Sequence, residues 1–286
     1  MPPIELIAHV DVPSIILMPL GLPSSGMSDA TIARELLNLR ELAEEPMEMD
    51  ERVQQFTDEN SNAWLFGVIF DQQVEAELAW GAPYKLKQRL GTFSMRSISR
   101  MPLSKIQRAM KGKSPEKALH RYVHKMAVWL KDAARKLVEE YGGQAENIWS
   151  DCRTAGEVIA RLSEFKGISQ KKAHMAAATI ASWERFDGLD AINVAVDVHV
   201  KRVWRRLRLV STGATAEILR TARRLHPQYP GALDAPTWQI GRRWCHAGRP
   251  DCSGTDAGDP CPLAKLCPSR GKSRGRRNGS NASRTR

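Results

Sequence analysis

Four of the five cysteines in this 286-residue chain fall within 23 residues, in the order Cys245-x6-Cys252-x8-Cys261-x5-Cys267. No other feature narrows the possible folds as much. Disulfide-stapled domains spread their cysteines through a short chain, whereas a chain of this length buries a sufficient core without them. The pattern therefore indicates a metal centre. Zinc knuckles and ribbons place cysteines in pairs about two to four residues apart, and no such pair occurs here. Four widely spaced thiolates suit a [4Fe–4S] cluster better, with zinc as the alternative. Arg242, Arg243 and Arg249 lie beside the thiols, where they offset cluster charge or meet phosphate. Cys152 stands alone and reads as a small buried apolar residue.

The remainder of the chain is helical in pattern. Apolar residues recur three and four apart and two-residue alternation is scarce, so the fold class expected is all-α, with two helical lobes. Helices are expected over residues 29–43, 62–80, 114–141, 154–165, 170–183, 198–207 and 214–225, with proline and glycine punctuating the gaps at Gly81-Ala82-Pro83, Met101-Pro102 and Pro230-Gly231. No internal repeat is visible. At 42% apolar and 26% charged residues the body is globular. Ile15-Ile16-Leu17-Met18-Pro19-Leu20 is too short to span a membrane, and Glu5 and Asp11 before it do not suit a secretory signal. A soluble cytoplasmic protein is expected, nucleoid-associated if bacterial.

Charge is unevenly placed. The net charge is +11, yet residues 1–62 carry twelve acids and three bases, while residues 85–136 carry fifteen bases and two acids. Residues 269–286 add seven bases and no acid, and their composition predicts a disordered basic tail. A concentrated basic surface is the electrostatic footprint of a polyanion binder.

Two motifs say what the polyanion is. Residues 162–173, Leu-Ser-Glu-Phe-Lys-Gly-Ile-Ser-Gln-Lys-Lys-Ala, lie between two helical patterns. A tight turn at Gly167 opens the second helix near Gln170, where first-turn amides without intrahelical partners bind phosphate oxygens well. This is a helix–hairpin–helix pattern, in which Ile168 tucks under the turn. Downstream, Val196-Asp197-Val198-His199-Val200-Lys201-Arg202-Val203 starts another helix, and Asp197 sits where a carboxylate caps its first amides.

Together these segments resemble the helix–hairpin–helix (HhH-GPD) DNA glycosylases of the endonuclease III type. Residues 167–173 are similar to that family's hairpin, glycine-valine/isoleucine-glycine-x-lysine-threonine-alanine. Residues 196–203 are similar to its valine-aspartate-threonine-histidine-x-x-arginine-valine motif. The resemblance spans roughly residues 60–268 and implies Lys171 as the amine nucleophile and Asp197 as the essential carboxylate. It also implies Gly167, Ile168, Ser169 and Lys172 as the DNA-gripping hairpin. Cys245, Cys252, Cys261 and Cys267 follow as ligands of a [4Fe–4S] cluster. Leu65-Phe66-Gly67-Val68-Ile69-Phe70-Asp71-Gln72-Gln73 looks like the family's early barrel helix. By position Gln73 is its wedge, with Gln72 beside it, filling the gap that an extruded base leaves. This sequence departs from the pattern at three places. Ser169 replaces the second hairpin glycine, and Lys172 occupies the threonine position, offering a second amine. The Lys171-to-Asp197 and Cys252-to-Cys261 spacings are long, which implies insertions around residues 184–192 and 253–260.

The expected organisation is an N-terminal segment and helix, 1–45, packing on the cluster lobe; a six-helix barrel with the hairpin, 46–190; the cluster lobe, 191–268; and the tail, 269–286. The resemblance implies a monomer that binds double-stranded DNA carrying a damaged base or abasic site in the cleft between lobes. Its activity would be glycosylase with AP lyase. The alternatives are a monofunctional glycosylase using Asp197-activated water and a non-catalytic DNA-binding protein with a structural cluster.

Overall fold

The computed structural model describes residues 28–39, 49–114 and 117–270. Twelve α-helices and no strand occur among them, so the all-α expectation holds. None of these helices is long and apolar enough to cross a membrane. The expected disordered tail lies almost wholly outside the described residues, as do residues 1–27. The chain divides into two units, one of residues 1–26 and 45–193 and one of residues 27–44 and 194–286.

The first unit is built around α3 (Ser61–Phe70), every residue of which is buried. A helix that is apolar on all sides must be enclosed on all sides. Asn62, a polar exception, is satisfied by donating to Gly143 O at 3.0 Å and accepting from the Ala145 amide at 2.9 Å. Around α3 stand α2 (Glu51–Asp58), α4 (Ala76–Leu90), α5 (Met95–Arg100), α6 (Leu103–Lys111) and α7 (Val123–Glu140). Helix α4 lies so close to α3 that a Cβ at Gly67 would come 2.4 Å from the Trp80 ring. Full burial of Phe66 and Phe70 stabilises this unit by ~1.5–3 kcal/mol each.

The chain then enters α8 (Ala155–Ser163), started by a capping box in which Thr154 and Glu157 satisfy each other's amides. A tight turn leads to α9 (Gln170–Ile180). The expected insertion at residues 184–192 folds back on the start of α8. The Asp187 amide donates to Arg153 O, and Asp187 O accepts from the Ala155 amide, both at 2.9 Å.

In the second unit α10 (Val198–Leu207), α11 (Thr215–Leu225) and α12 (Asp234–Arg243) pack with α1 (Asp29–Asn38). Ile32, Ala33 and Leu36 of α1 enter the same core as Trp204, Ile240 and Trp244. Trp204 is fully enclosed, and its indole N–H donates to Thr237 Oγ1 at 3.1 Å. After α12 the chain is irregular and carries the four clustered cysteines.

Candidate active site

The hairpin turn between α8 and α9 is closed by the Ile168 amide donating to Phe165 O at 3.0 Å. Gly167 sits at φ +98°, in a region side chains rarely adopt, and a Cβ there would meet the Trp129 ring at 2.6 Å. Only glycine makes this turn against Trp129. Ile168 is buried, as expected, and Ser169 precedes α9 in extended conformation. The Ser169 side chain makes no cap hydrogen bond. The first-turn amides of α9 therefore remain for an external acceptor, and they begin a helix, where an anion is favoured.

The two adjacent lysines part company at this helix start. Lys171 is exposed. Lys172 is 6% exposed, and its ammonium donates to Val68 O at 2.7 Å and Ile69 O at 3.2 Å, at the end of α3. Burial pushes the Lys172 amine down to about 8, against the pull of Asp71 and with the repulsion of Lys171 and Lys125 adding to it. The side chain expected at a DNA-facing hairpin position thus points into the barrel in this structure, because the last carbonyls of α3 need donors.

The chain beyond α3 carries both glutamines beside the hairpin. Gln72 donates its carboxamide N–H to Gly167 O at 2.9 Å. Gln73 is exposed, in left-handed conformation at φ +55°, and its carboxamide oxygen accepts from the Tyr122 hydroxyl at 2.7 Å. Lys125 lies 4.3 Å from the Trp129 ring centroid and 5.9 Å from that of Tyr122, and Arg121 is 5.0 Å from the latter. The segment before α7 and its first turns thus place cations and aromatic rings around the hairpin.

Asp197 belongs to the second unit. It is the N-cap of α10, accepting the Val200 amide through Oδ1 at 2.8 Å. Arg202 on the same helix donates to Gly241 O at 2.8 Å and lies 2.8 Å from His199 Nδ1, tying α10 to α12. The arginine and histidine of the aspartate motif therefore hold the helix whose start Asp197 caps.

Cys245, Cys252, Cys261 and Cys267 all line one pocket, with Leu207, Ile240, Trp244 and Leu263 as apolar walls. Arg206 Nη1 donates to Cys245 Sγ at 3.1 Å and to His246 O at 2.8 Å. Burial pushes the Cys261 thiol up to about 12, and the neighbouring Cys252, Cys245 and Cys267 add to this, so the four groups sense one another. No three His, Cys, Asp or Glu side chains among the described residues converge on a point suited to one metal ion. The insertion between Cys252 and Cys261 is ordered by Asp251, whose carboxylate accepts the amides of Thr255, Asp256 and Ala257 at 2.8–3.0 Å. Burial pushes that carboxyl upward, but these amides outweigh it and hold it below its ordinary value. Trp244 Nε1 donates to Asp259 O at 2.7 Å and closes the loop.

Residues 66–228, more than half of the chain, match the HhH-GPD superfamily base excision DNA repair protein family. The chain belongs to that superfamily. Endonuclease III of Synechocystis sp. (strain ATCC 27184 / PCC 6803 / Kazusa) is 30% identical over 148 residues, which are 49% of this chain and 54% of that protein. The match thus spans about half of the relative's length. Among solved structures, a trapped endonuclease III–DNA covalent intermediate in an estranged-adenine complex is similar at TM-score 0.55 and 19% identity, covering 85% of this chain and 97% of that one. A non-covalent endonuclease III–DNA complex gives 0.56 and 20%, covering 85% and 96%. A thermostable thymine-DNA glycosylase gives 0.56 and 16%, covering 83% and 94%. These likenesses are of fold.

For an HhH-GPD protein, the structure gathers Gly167, Ile168, Ser169, Lys171, Gln72 and Gln73 around one hairpin, and the four cysteines around one pocket. The sequence did not single out His120, Tyr122, Lys125 and Trp129. Their signal was aromatic residues interleaved with lysine and arginine inside the strongly basic segment.

Proposed function

We propose that this protein is a DNA glycosylase with AP lyase activity. It excises a damaged or mispaired base from double-stranded DNA and cuts the strand at the resulting site. The observation that carries this reading is the hairpin itself. A glycine-only turn presents the unpaired amides of α9 to phosphate, and an exposed amine, Lys171, stands in that same first turn. Phosphate contacts of this kind position the duplex without reading sequence.

The chemistry runs through two side chains. As the base departs with the glycosidic electron pair, the sugar becomes oxocarbenium-like, and the Asp197 carboxylate stabilises that charge. The Lys171 nitrogen lone pair forms a bond to the anomeric carbon, and one of the amine's protons passes to the ring oxygen as the bond between that oxygen and the anomeric carbon breaks, leaving a protonated Schiff base. Loss of a C2′ proton then expels the 3′ phosphate by β-elimination. Lys171 suits this role better than Lys172, whose amine is enclosed and held by two carbonyls. Gln73, exposed at the end of its turn, fills the gap left by the extruded base, with Gln72 bracing the turn on the hairpin.

Cys245, Cys252, Cys261 and Cys267 hold a [4Fe–4S] cluster in this reading. Bound there, it supplies four iron–thiolate bonds that cross-link the irregular segment after α12. In this reading the protein works as a monomer in the cytoplasm, on the nucleoid if it is bacterial.

The test is a panel of duplexes, each bearing one modified or mispaired base, scored separately for base release and strand cleavage. Release with cleavage is expected on at least one duplex. Release without cleavage would make the enzyme monofunctional. Tight, salt-sensitive binding with no release from any duplex would make it a non-catalytic DNA-binding protein.

A further inference from the structure

An α-helix leaves its last carbonyls without intrahelical donors. At the end of α3 three consecutive carbonyls are taken by side chains distant in sequence. Lys172 donates to Val68 O and Ile69 O, and His120 Nε2 lies 3.0 Å from Phe70 O. His120 Nδ1 accepts the Tyr122 amide at 2.9 Å, so the neutral ring carries its proton on Nε2 and donates to Phe70. Burial, with Lys172, Arg121 and Lys125 adding to it, lowers the pKa of this histidine and favours its neutral form, against the bond to Phe70, which pulls the other way.

The Tyr122 hydroxyl in turn donates to the Gln73 carboxamide. A closed circuit results: His120 grips the end of α3 with one nitrogen and Tyr122 with the other, and Tyr122 grips Gln73. Burying an ammonium beside two other lysines costs free energy that a surface lysine avoids. An apolar residue at position 172 would fill the space, but would leave two buried carbonyls without donors. Continuing α3 would have satisfied those carbonyls from its own backbone. The chain instead leaves the helix and turns left-handed at Gln73.

We propose that Lys172, together with His120 and Tyr122, is a positioning residue that fixes where α3 ends and so aims Gln73 into the gap opposite an extruded base. This rests on the reading of Gln73 as the wedge.

The experiment uses the full chain and a duplex with a tetrahydrofuran abasic analogue opposite 2-aminopurine, whose emission reports its stacking. Wild-type protein is expected to change that emission on binding. Gln73→Ala abolishes the change. Lys172→Met and Tyr122→Phe each lose roughly half of it or more. The salt slope of binding stays at the wild-type value in all of them, because phosphate contacts are untouched. If Gln73→Ala reduces the signal while Lys172→Met and Tyr122→Phe retain it, the positioning role is overturned and the wedge stands. If Gln73→Ala itself retains the signal, the wedge reading falls and the proposal with it. Should Lys172→Met fail to fold, Tyr122→Phe decides alone: it removes one hydroxyl at a half-buried site, and wild-type emission from it overturns the proposal.

Discussion

Gly167 and Lys172 show how differently two residues of one turn can be read. Gly167 was legible because its requirement is local: a turn between two helices needs a residue that tolerates positive φ. Gly167→Ala is expected to destabilise the fold by ~1–3 kcal/mol through backbone strain alone, before the Trp129 contact is counted. It should also weaken duplex binding, checked by thermal denaturation and by titration with an abasic duplex. Lys172 was not legible, because its partners lie 104 and 103 positions away and its sequence neighbour Lys171 is exposed. Its burial makes stability depend on pH. The amine titrates near 8 when folded and at its ordinary value of 10.5 when unfolded. Between those values the unfolded chain binds more protons, so the contribution of Lys172 to stability rises with pH across about 8 to 10.5 and is constant below it. The stability difference between wild type and Lys172→Met should therefore grow in favour of wild type across that window, by up to ~3 kcal/mol. A difference that stays flat by denaturant titration would mean the amine is not held as described.

Among the elements, the periodic helices over 154–165, 170–183, 198–207 and 214–225 were legible to within a few residues. Helices α2, α5, α6 and α12 were not. The expected helix over 62–80 is two helices, because side chains from elsewhere satisfy the α3 carbonyls and let the chain turn at Gln73. Pro83, read as punctuation, lies inside α4. The cysteine segment was legible as a set of thiols, while the way its insertion closes was not. Gly254 holds φ +80°, and a Cβ there would lie 2.1 Å from Asp259 O. Gly254→Ala should therefore spread Cys252 from Cys261, which bracket this loop. We expect anaerobically purified Gly254→Ala to lose most of the iron, acid-labile sulfide and visible absorption of wild type. Undiminished iron in the variant, or zinc in both proteins, would refute the account of this pocket.

For the whole molecule, charge foretold a polyanion but not its arrangement. The basic segment 85–136 runs from the end of α4 into α7, and Lys87, Arg96, Lys105, Arg108, Arg121 and Lys125 are all exposed. These cations are available to phosphate in addition to the hairpin amides. Residues 269–286 contribute seven further bases and no acid. Their removal should weaken duplex binding and reduce the salt slope by up to ~0.9 for each base that meets a phosphate. Base excision at low salt should be spared; its loss on truncation would place part of the active machinery in the tail.

The central claim is that an amine of the hairpin attacks the sugar, and borohydride reduction of a mixture with abasic-site DNA tests it most directly. Wild-type protein and Lys172→Met should each give a covalent protein–DNA adduct, and Lys171→Ala should give none while still binding the duplex. Equal trapping by Lys171→Ala, or no adduct with wild type, would contradict the account.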